Sequence, residues 1–434
     1  MAAEYKKNSL SLLGAVSLGT GVMIGAGIFA LLGQVAELSG KLFPIAFVVG
    51  AIISAFSAYS YIKLSNTFPS AGGIGMYLVK EYGKTTFTAF AALLMAFSMV
   101  INESLVARTF GTYTMQLFGN GDNSFWIPAL GVGLIILAFI VNISGNKFIE
   151  RSSFTMAVLK VIGLAILAVG GLWASEFAFG ETIPSAMPDK PFFSFIGALA
   201  LTILAYKGFT TITNSGDEIK KPHKNVGRAI IIAIAICVVL YYVVAISVAS
   251  SLSIEQIIEA RDYSLAEAAR PTFGDFGVWV TVGVAIIATI SGIIASIFAV
   301  SRMTAMLTKM KLIPHSHLGL SGRIQKHMLV YIAATTIVLT IFLDLSRIAS
   351  LGAIFYLVMD IGIHYGLLRK LRDKVEFNPV VVIAAIFLDA AVLAGFIWTK
   401  IQTDKMILFI ALAAMLLIYF GEKWFLSTRE EEGH

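Results

Sequence analysis

Charge is scarce in this sequence: of 434 residues only 13% are Asp, Glu, Lys or Arg, against 58% hydrophobic. A soluble domain cannot cover so much apolar surface with so few charged groups, so lipid must be the solvent. Long polar stretches are missing too. Apolar runs recur from Leu10 to Phe425 with nothing of soluble-domain size between them, which excludes a separate signalling or catalytic domain and leaves one integral unit. The single cysteine, Cys237, lies in an apolar run, which excludes an internal disulfide and a cysteine-based metal cluster. Its thiol is expected to pack between helices or face lipid. Chemical motifs are equally sparse. No paired-histidine spacing, nucleophile motif or phosphate-binding loop argues for an enzyme, and no selectivity-filter repeat argues for a channel. His223, His315, His317 and His327 fall in loops or at span boundaries without metal-ligand spacing. Neither a cofactor nor a metal is expected.

The net charge of +6 could belong to a nucleic-acid binder, but the basic residues are scattered through short loops and form no single face. They mark topology instead. At about 20 apolar residues per span, the chain divides into about twelve membrane helices. An even number puts both termini on one side. Most of the 32 basic residues then fall on that side, with clusters at Lys63, Lys80 and Lys84 and at Lys220, Lys221, Lys224 and Arg228. By the positive-inside rule both termini are cytoplasmic, in a multi-pass protein of the cell membrane. No cleavable signal is expected, because the first apolar stretch is followed directly by further spans. The segment from about 252 to 276 carries Glu255, Glu259, Asp262 and Glu267 at helical spacing, which predicts a short surface helix.

Two spans carry poor helix formers near their middles. The first contains Gly21-Val-Met-Ile-Gly-Ala-Gly-Ile-Phe29, and the sixth contains Tyr206-Lys207-Gly208-Phe209 followed by Thr210, Thr211, Thr213, Asn214 and Gly216. Glycine weakens a helix, so both spans are predicted to be discontinuous. These are the leading spans of two five-helix halves, the arrangement in which secondary transporters build a midplane site from half-helix ends. The alternative is that the glycines only let helices pack closely.

Several stretches in order carry a resemblance to a known family. They are Ile24-Gly-Ala-Gly-Ile-Phe29, Ala205-Tyr-Lys-Gly-Phe209, Asp217-Glu-Ile-Lys-Lys-Pro-His-Lys-Asn225 with Arg228-Ala-Ile, and Ser301-Arg302 leading to Leu312-Ile-Pro314. The chain resembles the amino acid, polyamine and organocation transporters, and in particular the proton-coupled members with a lysine in their fifth helix. Gly227 departs from them, since the family often has proline there. The resemblance implies an all-α integral membrane protein with the leucine-transporter fold. Residues 1–370 would form a ten-helix core of two inverted repeats, about 9–174 and 192–370. Residues 371–434 would add two accessory helices and a short cytoplasmic tail. The implied function is proton-coupled symport of an amino acid or small amine by alternating access, by a monomer or a dimer. A sodium-independent exchanger on the same fold is the alternative, with a sensor or channel behind it.

Site residues follow from the same resemblance. A helix broken at the midplane offers unpaired N–H groups to a carboxylate and unpaired carbonyls to an ammonium. The N–H groups of Ala26 and Gly27 would take the carboxylate, and carbonyls near Met23, Ala205 and Lys207 the ammonium. Gly208 keeps the site open. Tyr206 and Phe209 form either an aromatic gate or ordinary packing between helices. Glu103 has apolar neighbours, and ionisable groups at such depth are usually functional. It reads either the substrate or a structural ion pair with Arg108 or Lys207. Lys207 stands where relatives carry a small or apolar residue, so it either binds an acidic group or neutralises Glu103.

Lys160 lies near the middle of the fifth span, too deep to snorkel. Sodium-coupled relatives hold a cation between first-span carbonyls and eighth-span hydroxyls. The resemblance implies that the Lys160 ammonium takes that place, against the carbonyls of Gly21 and Ile24 with Ser291 and Thr289. Position 290 is Ile290, where a second sodium-ligating hydroxyl is often found. The alternative for Lys160 is a permanently charged structural lysine. Asp217, Glu218 and Arg228 are expected to form a cytoplasmic gate. Asp360 and His364, one turn apart, suggest a second proton site, a polar crevice or the membrane edge, and Asp389 suggests helix-to-helix glue.

Overall fold

A computed structural model describes residues 8–70, 72–118, 125–144, 146–174, 191–313 and 324–432. Among them there is no β-strand, only an isolated bridge between Leu10 and Ile219. In the first half of the chain the helices are α1 (Leu12–Ser39), α2 (Phe43–Thr67), α3 (Gly73–Tyr82), α4 (Thr86–Met115), α5 (Trp126–Ser144) and α6 (Asn146–Ala174). After the break in description come α7 (Phe192–Tyr206), α8 (Thr210–Thr213), α9 (Pro222–Ser251), α10 (Ile254–Glu259) and α11 (Ser264–Lys309). The last four are α12 (Ile324–Phe342), α13 (Leu345–Lys370), α14 (Pro379–Thr403) and α15 (Lys405–Glu432).

Local sequence sets the helix starts. The Ser11 hydroxyl accepts from the Gly14 N–H at 3.1 Å to cap α1, and Asp344 caps α13 by accepting from Arg347 N–H at 2.9 Å. Such caps satisfy N–H groups that the first helical turn leaves orphaned. Proline opens α2, α9 and α14, where its missing N–H costs nothing. Large apolar side chains such as Trp173, Phe342, Phe387 and Trp424 stay exposed, as a lipid-facing surface requires.

Among the described residues ten helical stretches are long and apolar enough to cross a bilayer, so the chain is an all-α, multi-pass membrane protein. One of the ten, Gly27–Thr67, runs through the turn between α1 and α2, while Leu12–Gly25 and Lys326–Phe342 are shorter apolar helices. The predicted surface helix is realised as α10, which Ser253 and Gln256 close with a capping box. The helix α3, between α2 and α4, was not expected.

The two predicted breaks have different outcomes. The sixth span is interrupted: α7 ends at Tyr206, a 3-10 turn covers Lys207–Phe209, and the single turn α8 follows. The first span is not, for α1 runs as one α-helix through Gly21, Gly25 and Gly27. Its glycines are used for packing. A Cβ on Gly25 would lie 3.1 Å from Gly292 Cα of α11, and one on Gly27 would lie 2.9 Å from the Ala205 carbonyl oxygen of α7. Small residues let helices approach this closely in lipid, where backbone groups released from a helix would find no water. As a result α1 sits inside the bundle, packed against α4, α6, α7, α9 and α11.

Candidate functional site

Three helices meet at one ammonium group. Lys160 of α6 is 1% exposed. Its Nζ donates to the Gly21 carbonyl of α1 at 2.5 Å and to Ser291 Oγ of α11 at 2.9 Å. Ser291 in turn donates to the Ala288 carbonyl, so its hydroxyl is oriented to accept from lysine. Two other expected partners are not drawn in. Thr289 Oγ1 bonds back to the carbonyls of Ala285 and Ile286 on its own helix, and Ile24 contributes no bond to Lys160. An unpaired lysine at this depth would cost about 3 kcal/mol or more, so these two acceptors hold the ammonium in place.

The interrupted span lies directly on α1. A Cβ on Gly208 would fall 2.7 Å from the Met23 backbone nitrogen, so this position needs glycine for close approach. Met23, Gly27, Ala205 and Gly208 thus come together, as expected of a site built from backbone. Ala26 lies within α1, and its side chain is outside what is described. The Met23 carbonyl has a partner that was not foreseen: Tyr241 of α9 donates to it at 2.6 Å. Tyr206 packs on Tyr241 with ring centroids 5.1 Å apart and donates to the Phe47 carbonyl at 3.2 Å, while the Phe209 ring packs edge-on against Tyr61 at 5.4 Å. Both aromatics thus pack between helices.

Lys207 and Glu103 are both buried but do not pair. Lys207 Nζ turns to α4 and donates to the Ser98 carbonyl at 2.9 Å and Ser98 Oγ at 2.7 Å, 5.6 Å from the Tyr356 ring centroid. Glu103 is 0% exposed and accepts from Ser296 Oγ at 3.1 Å and Thr336 Oγ1 at 3.2 Å. Among the described residues no ion pair joins Glu103 to Lys207 or to Arg108, whose guanidinium bonds the Leu343 carbonyl instead. The ion-pair alternative for Glu103 is not realised among the described residues; hydroxyls on α11 and α12 hold the carboxylate.

Charged contacts lie at both ends of the bundle. At the end bearing α3, Glu218 pairs with Arg302 of α11, and the Arg302 guanidinium carbon lies 3.6 Å from the Phe298 ring centroid. The stretch before α1 is stitched to the same segment, Leu10 N–H donating to the Glu218 carbonyl at 2.7 Å. Glu218 was expected here, but its cation was not. Arg228 is exposed and joins neither Asp217 nor Glu218 in an ion pair among the described residues, so Arg302 takes its place. The legible signal was Ser301-Arg302 itself, in the helix whose middle reaches Lys160 through Ser291. At the opposite end Arg261 pairs with Glu37 at 2.6 Å, and Gln34 donates to Asp262 at 2.6 Å. Burial pushes the Asp262 carboxyl up, and the neighbouring Arg261 opposes that rise. A cavity of about 220 Å³ lies beside this pair, lined by Thr112, Ile127, Glu259, Arg261, Asp262 and Tyr263.

The profile of the amino acid permease family matches residues 10–420. The chain is 29% identical over 410 residues to the inner membrane transport protein YbaT of Escherichia coli, covering 94% of each chain. It is 24% identical over 440 residues to the serine/threonine exchanger SteT of Bacillus subtilis, covering 96% of this chain and 97% of that one. It is also 26% identical over 375 residues to the vacuolar cationic amino acid transporter 4 of Arabidopsis thaliana, covering 80% of this chain and 60% of that protein.

Proposed function

This chain belongs to the amino acid permease family, and on that footing we propose that it carries an amino acid across the cell membrane in symport with a proton held on Lys160. The observation that carries the reading is the Lys160 ammonium bridging α1, α6 and α11 through Gly21 and Ser291. A protonated amine has three donors and no acceptor, whereas a neutral amine loses both charge and a donor. Proton loss therefore weakens the tie between α1 and α11, and proton gain restores it. Alternating access is the shift between two such arrangements of α1 against its neighbours.

Substrate would sit where α1 meets the interruption between α7 and α8. Gly27 and Gly208 bring the main chain of α1 against Ala205 and the 3-10 turn, so backbone groups of both segments lie together for a substrate's polar ends. Since α1 runs unbroken and Tyr241 holds the Met23 carbonyl, binding requires Tyr241 to give way to the substrate's ammonium. Glu103 and Lys207, on either side of this region, would set which side chain is accepted. The Glu218–Arg302 and Glu37–Arg261 pairs act as the two gates, with the Glu218 end and both termini in the cytoplasm. We read α14 and α15 as accessory to a core of two inverted repeats.

Proteoliposome uptake tests the reading. An inward proton gradient should drive accumulation of a radiolabelled amino acid with sodium absent, and a sodium gradient alone should not. Accumulation only when a counter-substrate is loaded inside, indifferent to pH, would replace symport with the exchange that SteT is named for.

A further inference from the structure

The far side of α2 carries a second buried polar centre that the transport reading does not use. Asp360 and His364 of α13 and Asp389 of α14 are all 0% exposed, so neither the expected crevice nor the membrane edge describes them. His364 Nε2 lies 3.3 Å from Asp389 Oδ2 and 3.6 Å from Asp360 Oδ1, and one ligand atom from each residue lies within 4.8 Å of the other two. Although Nε2 and Oδ2 stand within ion-pair distance, neither His364 Nε2 nor either Asp389 oxygen makes a hydrogen bond of good geometry among the described residues. One ligand atom of each residue lies close enough to the other two for all three to reach one ion. Ligands of a tetrahedral metal at about 2.0–2.1 Å stand about 3.3 Å apart, which these separations approach.

The surroundings are built to orient such ligands. His364 Nδ1 is 2.8 Å from Ser60 Oγ, a contact that turns Nε2 inward. Ser57 and Tyr61 donate to the Asp360 oxygens at 2.6 and 2.5 Å. Charge gives a separate argument. Two ionised carboxylates beside a neutral imidazole would leave two negative charges far from water, so protons or a bound cation must neutralise them. A divalent cation bound by the three ligands cancels their charge.

We propose that Asp360, His364 and Asp389 form a binding site for a divalent transition-metal ion of the Zn²⁺ class, which pins α14 to α13 and α2. Mixed imidazole and carboxylate donors suit this class of ion better than Mg²⁺ or Ca²⁺. The site does not rest on the transport reading, and its test needs no substrate. Full-length protein is purified in detergent, stripped with a chelator and titrated with Zn²⁺ by calorimetry and thermal unfolding. One equivalent should bind and raise Tm, and Co²⁺ in its place should give the visible absorption of a low-symmetry site. H364Q and D389N should abolish both signals. Ser60→Ala, which retains all three ligands, should weaken binding by about tenfold or more. Because these variants could lose structure, each is first checked for a monodisperse profile and a cooperative melt. Absence of Zn²⁺ binding by the intact protein would overturn the proposal, and so would binding that survives unchanged in folded H364Q and D389N.

Discussion

Gly25 of α1 lies directly against Gly292 of α11, so that a Cβ on either would stand 3.1 Å from the other's Cα. The pair lies one turn from the Gly21 carbonyl and one residue from Ser291, the two acceptors of Lys160. Close packing of two bare backbones thus sets the distance that one ammonium can bridge. Gly25→Ala needs a shift of only a few tenths of an ångström, whereas Gly25→Val must push the helices apart. Overpacking of this kind typically costs about 1–3 kcal/mol. Thermal unfolding in detergent should show a clear loss for Gly25→Val and a small one for Gly25→Ala, with uptake falling in the same order. Wild-type melting and uptake in Gly25→Val would show that the approach is not required.

Lys160→Ala removes the bridge and with it the proposed proton carrier. Uptake driven by a pH gradient should fall to background, while substrate affinity should change by less than about tenfold, or 1.4 kcal/mol. Lys160→Arg keeps the charge but cannot lose its proton, so it should bind substrate and still fail to accumulate it. Flux measured beside equilibrium binding separates these effects. Persistent accumulation by Lys160→Ala under a proton gradient would remove the lysine from the mechanism.

Much of this arrangement was legible because lipid leaves few ways to satisfy polar groups. A lysine such as Lys160, in the middle of an apolar run, has to find carbonyls and hydroxyls, and the family resemblance pointed to Gly21 and Ser291 among its four candidates. The interruption at Lys207–Phe209 was legible for a similar reason, since Gly208 precedes a run of threonines with poor helical propensity. The glycines of α1 misled because glycine gives the same signal whether it ends a helix or lets another helix touch it. Only the placement of Gly292 and Ala205 decides between the two. Partners such as Ser98 for Lys207, Tyr241 for Met23 and Arg302 for Glu218 lie far away in sequence, and common residue types carry no local mark of their partner.

Glu103 tests whether a buried carboxylate held by hydroxyls alone serves selectivity. In Glu103→Gln one oxygen still accepts from Ser296 or Thr336 and the shape is kept, so Tm should move by no more than a few degrees. The negative charge is lost, however, and with it any discrimination between neutral, basic and acidic side chains. A thermal-shift screen against the amino acids should show a changed ligand order in Glu103→Gln. An unaltered order at unaltered Tm would return Glu103 to a packing role.

The Glu218–Arg302 pair tests the gate. Side chains only 13% and 5% exposed make it a buried pair, for which removal of one partner leaves an uncompensated charge at a cost of about 3–5 kcal/mol. Arg302→Ala should therefore weaken the closed arrangement more than the double variant Glu218→Gln/Arg302→Met, which leaves no orphaned charge. Ser70 reports on that arrangement, because it is 6% exposed and its backbone lies against Gly216, next to the gate segment. Cys237 is the only native thiol and is buried, so a Ser70→Cys variant can be labelled with a water-soluble maleimide against little background. Labelling should accelerate in Arg302→Ala and stay close to the parent rate in the double variant. Equal rates in all three proteins would mean that closure at this end is held by backbone stitching such as Leu10 to Glu218, with the ion pair contributing nothing to it.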